Sequence, residues 1–365
     1  MNGLCLSRLG LSLTLALMLG ACATDAPRES TRAADAATTA VTVMTFNVEN
    51  LFDNIDDPGK DDKAYLPLAA KQSVAHKNAC DEIEVNRWRD ECLDLDWNED
   101  ILDFKMTVIA DAILQVNGGR GADIIALQEV ENISVLEQLR TGYLANAGYL
   151  PAVLIEGADA RGIDVAFLSR LPLTRPPTLH PLSIPEFEER EGDTRGVLQA
   201  DFQLPDGSIL TGFSVHFPAP FHPTPMRVAA YRHLTELLAA LPEHHHAFAA
   251  GDFNTTARED HEKQMLDSWA RPHWTLAHDI GCADCKGTHY YATGDSWSFL
   301  DMIFFRAARG GNTTAQIRAD SVQIANRNPA QVSSFGTPER FNAADRHGVS
   351  DHWPMIASIE VTQKQ

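Results

Sequence analysis

Runs of apolar and β-branched residues too short for helices recur along this chain, and each is bounded by a side chain able to do chemistry. Residues 41–46 run into Asn47, 122–127 into Gln128 and Glu129, 209–215 into His216, and 247–250 into Gly251-Asp252-Phe253-Asn254. Residues 163–168 follow Arg161, 299–305 carry Asp301, and 353–361 follow Asp351 and His352. This pattern predicts strands that deliver polar groups at their ends. One polar residue at a strand terminus is an ordinary turn residue; its recurrence points to a shared site. Between the strands, apolar residues three and four apart predict helices over 104–116, 135–146 and 226–241. Strands and helices mix without a strict βαβ alternation. The predicted class is therefore α/β, a four-layer sandwich of two packed mixed β-sheets flanked by helices.

The groups collected at these ends suit phosphodiester hydrolysis, which needs charge neutralisation on the phosphate, an activated water and help for the leaving oxygen. A hard cation such as Mg²⁺ or Mn²⁺ takes oxygen ligands, and Glu129, Asp351 and Glu49 are the candidate carboxylates. Asp252 and Asn254 can accept a proton from the attacking water and orient it, while His352 and His216 can bond or protonate phosphoryl oxygens.

At these residues the chain resembles the endonuclease/exonuclease/phosphatase superfamily, which includes deoxyribonuclease I, exonuclease III, neutral sphingomyelinases and inositol polyphosphate phosphatases. The resemblance is carried by Thr45-Phe-Asn47-Val-Glu49-Asn50, Leu127-Gln-Glu129-Val-Glu131-Asn132, Arg161 to Leu168, Ser214-Val-His216, Gly251-Asp252-Phe-Asn254, Ser298-Phe-Leu-Asp301 and Ser350-Asp351-His352. These segments stand in the family's order. The resemblance implies that Glu129 is the principal metal ligand, with Asn47 and Asp351 near metal and phosphate. It further implies that Asp252 and Asn254 handle the nucleophilic water, that Asp301 orients His352, and that His216 and Arg161 contact phosphate. It leaves open whether His352 or Asp252 is the base.

The chain opens with a short segment bearing one positive charge, then an apolar run, then Leu19-Gly20-Ala21-Cys22. The run is too short to span a bilayer and reads as a signal-peptide core. Its end resembles a bacterial lipobox, which implies a signal over 1–22, a lipid anchor at Cys22 and work outside the cytoplasm. Residues 23–40 lack large apolar side chains and read as a flexible tether; 41–365 read as one catalytic domain, expected to act as a monomer. Cys80, Cys92, Cys282 and Cys285 remain after processing. The local pairs Cys80 with Cys92 and Cys282 with Cys285 are the simplest of the three connectivities, with a zinc site as the rival.

A formal net charge of −20 disfavours tight, metal-free binding to long duplex DNA. Bound cations invert the local field, so phosphate chemistry survives this balance. A nuclease acting on nucleic acid or nucleotides is the leading reading. A lipid or inositol-phosphate phosphoesterase, or a non-catalytic surface lipoprotein of the same fold, is the alternative. The apolar loop 217–221 beside His216 reads equally as buried packing, base stacking or lipid contact. His244-His245-His246 reads as a polar loop before a strand, with a transition-metal grip as the rival. The acid-rich stretches 53–62 and 90–103 lack the ordered ligand ladder of a calcium loop and read as a solvated insertion, with Ca²⁺ binding as the rival.

Overall fold

The computed structural model describes residues 38–364. The signal, most of the tether and Cys22 lie outside the described residues. Among the described residues fourteen strands form: β1 (Thr38–Leu51), β2 (Ile124–Val130), β3 (Val153–Leu154), β4 (Asp164–Ser169), β5 (Thr178–His180), β6 (Val197–Gln203), β7 (Ile209–His216), β8 (His246–Asp252), β9 (Thr275–Leu276), β10 (His289–Tyr291), β11 (Ser296–Ser298), β12 (Asp301–Arg306), β13 (Thr313–Ile324) and β14 (Met355–Gln363). One sheet has the order β13-β14-β1-β2-β4-β3, the other β5-β6-β7-β8-β12-β9, and β10 and β11 form a separate ribbon. Both large sheets are mixed: β1 with β2 and β7 with β8 are parallel pairs among antiparallel neighbours. Thr38, Thr39 and Ala40, assigned to the tether by composition, already pair with β14.

Because these strands are apolar at successive positions, neither face of either sheet can be left in water. In β2, Ile124 and Ala126 face the second sheet, where they meet Phe202, Phe248 and Ile303. Ile125 and Leu127 point the other way, onto Met106, Ile109 and Ile113 of helix α3. The second sheet likewise turns Phe213, Val215 and Ala249 onto Met226, Tyr231 and Leu234 of helix α5. The result is the expected four-layer sandwich.

Helices α1 (Val74–Asp81) and α2 (Asn86–Asp94) precede α3 (Glu99–Leu114); α4 (Ile133–Gln138) follows β2 and α5 (Thr224–Ala239) follows β7. Helix α3 starts five residues earlier than the apolar period suggests. The Asn98 side chain accepts the Ile101 amide, and Glu99 and Asp100 complement the first turn. Cys80 is bonded to Cys92, joining α1 to α2, and Cys282 to Cys285. Most acids of the stretches 53–62 and 90–103 are exposed, as a solvated insertion requires, but the region is also tied to the domain. It encloses its own small core of Phe52, Trp97, Ile101 and Ile163, with Tyr65 stacked on Phe52. No helix among the described residues is long and apolar enough to cross a membrane.

Candidate active site

Register brings the polar strand ends together. In the second sheet His216 of β7 lies opposite Asp252 of β8, and Asp252 lies opposite Asp301 of β12, so three functional side chains occupy one row. In the first sheet Asn47 stands beside Gln128, one residue before Glu129. Gly251 permits the β7–β8 approach: a Cβ there would overlap the Val215 carbonyl oxygen.

Both strands of the first sheet depart from regular pairing where they enter the site. The β1–β2 register shifts between Asn47 and Leu51, and the β2–β4 register between Gln128 and Val130. Glu49, Asn50, Glu129 and Asn254 all have positive φ, between 50° and 63°. Such bulges and left-handed residues re-aim side chains at functional sites, at a conformational cost carried by the surrounding fold.

The amide of Asn47 bridges the two sheets, donating to Glu129 Oε1 at 3.3 Å and to Asp252 Oδ2 at 3.2 Å. Glu129 Oε2 accepts the Asn50 amide, and Asp252 Oδ1 accepts the Asn254 amide at 2.8 Å. The Asn254 side chain donates to the Phe217 carbonyl. His352 Nδ1 donates to Asp301 Oδ2 at 2.7 Å, while Ser350 fixes the segment by donating to the Asn47 carbonyl and accepting the His352 amide. His216 Nε2 lies 3.5 Å from Asp252 and 3.9 Å from Glu129.

Burial and neighbouring charge divide these groups by protonation. Burial alone would push the His352 imidazole down, but Asp301, Asp252 and Asp351 hold it well above 6.5, in its cationic form. Burial, with Asp301 adding to it, pushes Asp252 up to about 7 against the pull of His352. Burial, helped by Arg195, Arg161 and His352, drives His216 well below 6.5 and keeps it neutral. Burial raises Asp351, yet His352 and Arg340 outweigh it and hold that carboxyl below its usual range.

Glu49 does not serve as a free carboxylate. Its Oε1 accepts from Arg340, and its Oε2 accepts the backbone amides of Phe341 and Asp351 at 3.0 Å. With both oxygens engaged it anchors the loop bearing Asp351. Arg161 is half-exposed and held beside Asp159, at 3.7 Å.

Two site residues escape the sequence reading. Arg195 is buried at the start of β6, 2.9 Å from Asp159, and its charge reaches His216, Glu129 and Asp252. His289 packs against His352 with ring centroids 4.9 Å apart, and burial, aided by His352, lowers it to about 4. Beside Asp351 and His289 opens a cleft of about 820 Å³. Arg87, Lys286 and Arg340 line it together with Tyr290, Trp297 and Phe335.

The other candidates resolve simply. Phe217 is buried against Tyr231 and Phe253, leaving Pro220 and Phe221 exposed at the end of that loop. His245 bonds Thr211, and His246 begins β8, bonding Thr313 Oγ1 and the Ala308 amide. His245 and His246 are thus packing residues, and His244 stays exposed in the loop before the strand.

A sandwich of two mixed sheets with acid, amide and imidazole groups gathered where strands of both sheets end defines a phosphoesterase architecture. The chain belongs to the Endonuclease/Exonuclease/phosphatase family, whose model matches residues 44–352. Solved structures share this fold at low identity. Humanised D. rerio TDP2 carrying 14 mutations superposes with a TM-score of 0.54 at 13% identity, over 88% of this chain and 98% of that one. An endonuclease/exonuclease/phosphatase from Beutenbergia cavernae gives 0.52 at 15%, over 89% and 72%. The mannosyl-6-phosphatase Bt3783 of Bacteroides thetaiotaomicron gives 0.52 at 14%, over 87% and 99%. No curated protein sequence matches the chain.

Proposed function

We propose that this protein is a divalent-metal-dependent phosphodiester hydrolase acting on short or single-stranded nucleic acids. The observation that carries the activity is the meeting of Asn47, Glu129, His216, Asp252, Asn254, Asp301 and His352 through the contacts above. The donor set fits a hard cation. Glu129 forms no ion pair with Lys or Arg among the described residues, and its only basic neighbour within 4 Å, His216, is neutral. Glu129, with Asn47 3.3 Å away, would hold Mg²⁺ or Mn²⁺, and Asp351, 3.4 Å from Arg340, is the further carboxylate candidate. Such an ion, when bound, neutralises phosphate charge and lowers the pKa of water.

The chain's own groups then divide the remaining work. Asp252, raised to about 7 and steadied by Asn47 and the Asn254 amide, is the group matched to accept a proton from water near neutral pH. Cationic His352, oriented by Asp301, places its Nε2–H for a phosphoryl oxygen. Arg161 and Arg195 supply positive charge on the other flank, and neutral His216 can donate a hydrogen bond.

The cleft favours nucleic acid over lipid. Its aromatic residues offer planar faces to bases and Lys286 a partner for phosphate, while Arg87 and Arg340 are paired with Glu91 and Glu49 and Asp295 and Asp351 also line it. The loop 217–221 exposes one large apolar side chain, Phe221, beside Pro220, which is too little for bilayer entry. Export and lipid attachment at Cys22 belong to the same proposal, supported by the segment 19–22. The test is a panel of purified mature protein with Mg²⁺ or Mn²⁺ against single- and double-stranded DNA, RNA, bis-nitrophenyl phosphate, a sugar phosphate, sphingomyelin and inositol phosphates. Single-stranded substrates are expected to turn over fastest. Hydrolysis of sphingomyelin, inositol phosphate or sugar phosphate without nucleic-acid cleavage would reverse the assignment.

A further inference from the structure

Outside the catalytic constellation, three carboxylates meet where the loop after β1 folds against the end of β2. Oxygens of Asp57, Asp62 and Glu131 all lie within 4.8 Å of one another. Asp62 and Glu131 are each 1% exposed. One oxygen of each is anchored by a backbone amide: Asp62 Oδ2 accepts from Asp57 and Glu131 Oε2 from Asp53. The other oxygens, Asp62 Oδ1 and Glu131 Oε1, are buried without a hydrogen-bond partner. None of the three carboxylates forms an ion pair with Lys, Arg or His among the described residues. Buried carboxylates left without partners are costly, and native proteins protonate them, pair them or place them on metals.

We propose that Asp57, Asp62 and Glu131 form a second divalent-cation site that shares no residue with the catalytic one, and that its occupant is Ca²⁺. The donors are all oxygen, which disfavours zinc and its preference for nitrogen and sulfur. They come from an irregular loop and a strand end, a setting that suits the adaptable six- to eight-oxygen shell of Ca²⁺ better than the strict octahedron of Mg²⁺. Neighbouring geometry holds the loop ready. Asp53 is fixed by the Ile55 amide and by Asn132 Nδ2, and Tyr65, whose amide donates to the Asp62 carbonyl, stacks on Phe52. The ion therefore fastens the segment 53–65 to the chain immediately after Glu129.

The test uses the full mature chain carrying Glu129→Gln, so that the catalytic site is weakened and binding elsewhere stands out. After stripping with chelator, calorimetric titration with CaCl₂ is expected to show one ion per chain. Tm is expected to rise by roughly 3–8 °C at a hundredfold excess over Kd. Adding Asp62→Asn and Glu131→Gln should abolish both signals. Should that variant fail to fold, Asp57→Asn alone should weaken Ca²⁺ at least about tenfold, as loss of one carboxylate ligand demands. No Ca²⁺ heat and no change in Tm in the Glu129→Gln protein would overturn the proposal, as would unaltered binding after the carboxylates are removed.

Discussion

The bond from His352 Nδ1 to Asp301 Oδ2 decides what His352 can contribute, because it fixes the ring and keeps it cationic against burial. Asp301→Asn removes that support, so kcat should fall by about 10²- to 10⁴-fold. The loss of activity at high pH should also move toward neutrality as His352 titrates earlier; an unmoved alkaline limb would refute the orienting role. Asp252 sets the other limb. Its base form is required and its carboxyl sits at about 7, so kcat/KM should climb with pH through that value. A profile already flat from pH 5 would remove Asp252 from the base role. At this scale the sequence is informative where polar residues cluster at a strand end, as in 251–254 and 350–352. Arg195 and His289 are single residues outside any such cluster, and only tertiary packing brings them in. Glu49 is only partly legible for the complementary reason. A sequence displays its charge but not its partner, Arg340, which stands 291 positions later.

Elements place these residues through their irregularities. The register shifts around Glu129 and after Asn47 turn carboxylate and amide toward each other, and no hydrophobic pattern announces a bulge of this kind. The strands themselves are legible because both of their faces are apolar. Gly251→Ala should lower stability by at least about 2 kcal/mol in urea unfolding, because backbone has to shift to admit the methyl group. Equal stability would mean that β7 and β8 separate freely. A second effect belongs to β8. His246 is buried and neutral, with Nδ1 accepting the Ala308 amide and Nε2 engaging Thr313, and burial lowers its pKa below 6.5. The unfolded chain therefore takes up this proton first as pH falls. Stability should drop below pH 6.5 by up to about 1.4 kcal/mol per pH unit for that one proton, and His246→Gln should reduce the slope. An unchanged slope would assign the acid sensitivity to other groups.

The whole molecule is a scaffold that aims one end of two sheets at an adjoining cleft. The layer order follows from the strand and helix patterning, but the cleft does not, since its walls come from residues as distant as Arg87 and Phe335. The acid-rich stretches 53–62 and 90–103 are half legible: most of their acids are solvent-exposed, as their charge suggests, while Trp97 packs with Phe52 and Tyr65 in a small core that charge does not announce. If the cleft seats bases, Trp297→Ala or Phe335→Ala should raise KM for a single-stranded oligonucleotide roughly tenfold, the equivalent of one lost stacking contact. Turnover of bis-nitrophenyl phosphate should be unaffected, and equal losses on both substrates would assign the cleft a structural role instead. The account as a whole rests on metal-assisted hydrolysis at Glu129. Its most direct test is the rate of bis-nitrophenyl phosphate hydrolysis as Mg²⁺ is titrated into chelator-stripped wild-type and Glu129→Gln protein. The wild type should be silent without metal and saturate with it, and the variant should remain at least about 100-fold slower with a weakened Mg²⁺ dependence. Full turnover in chelator, or a variant that matches the wild type at every Mg²⁺ concentration, would contradict it.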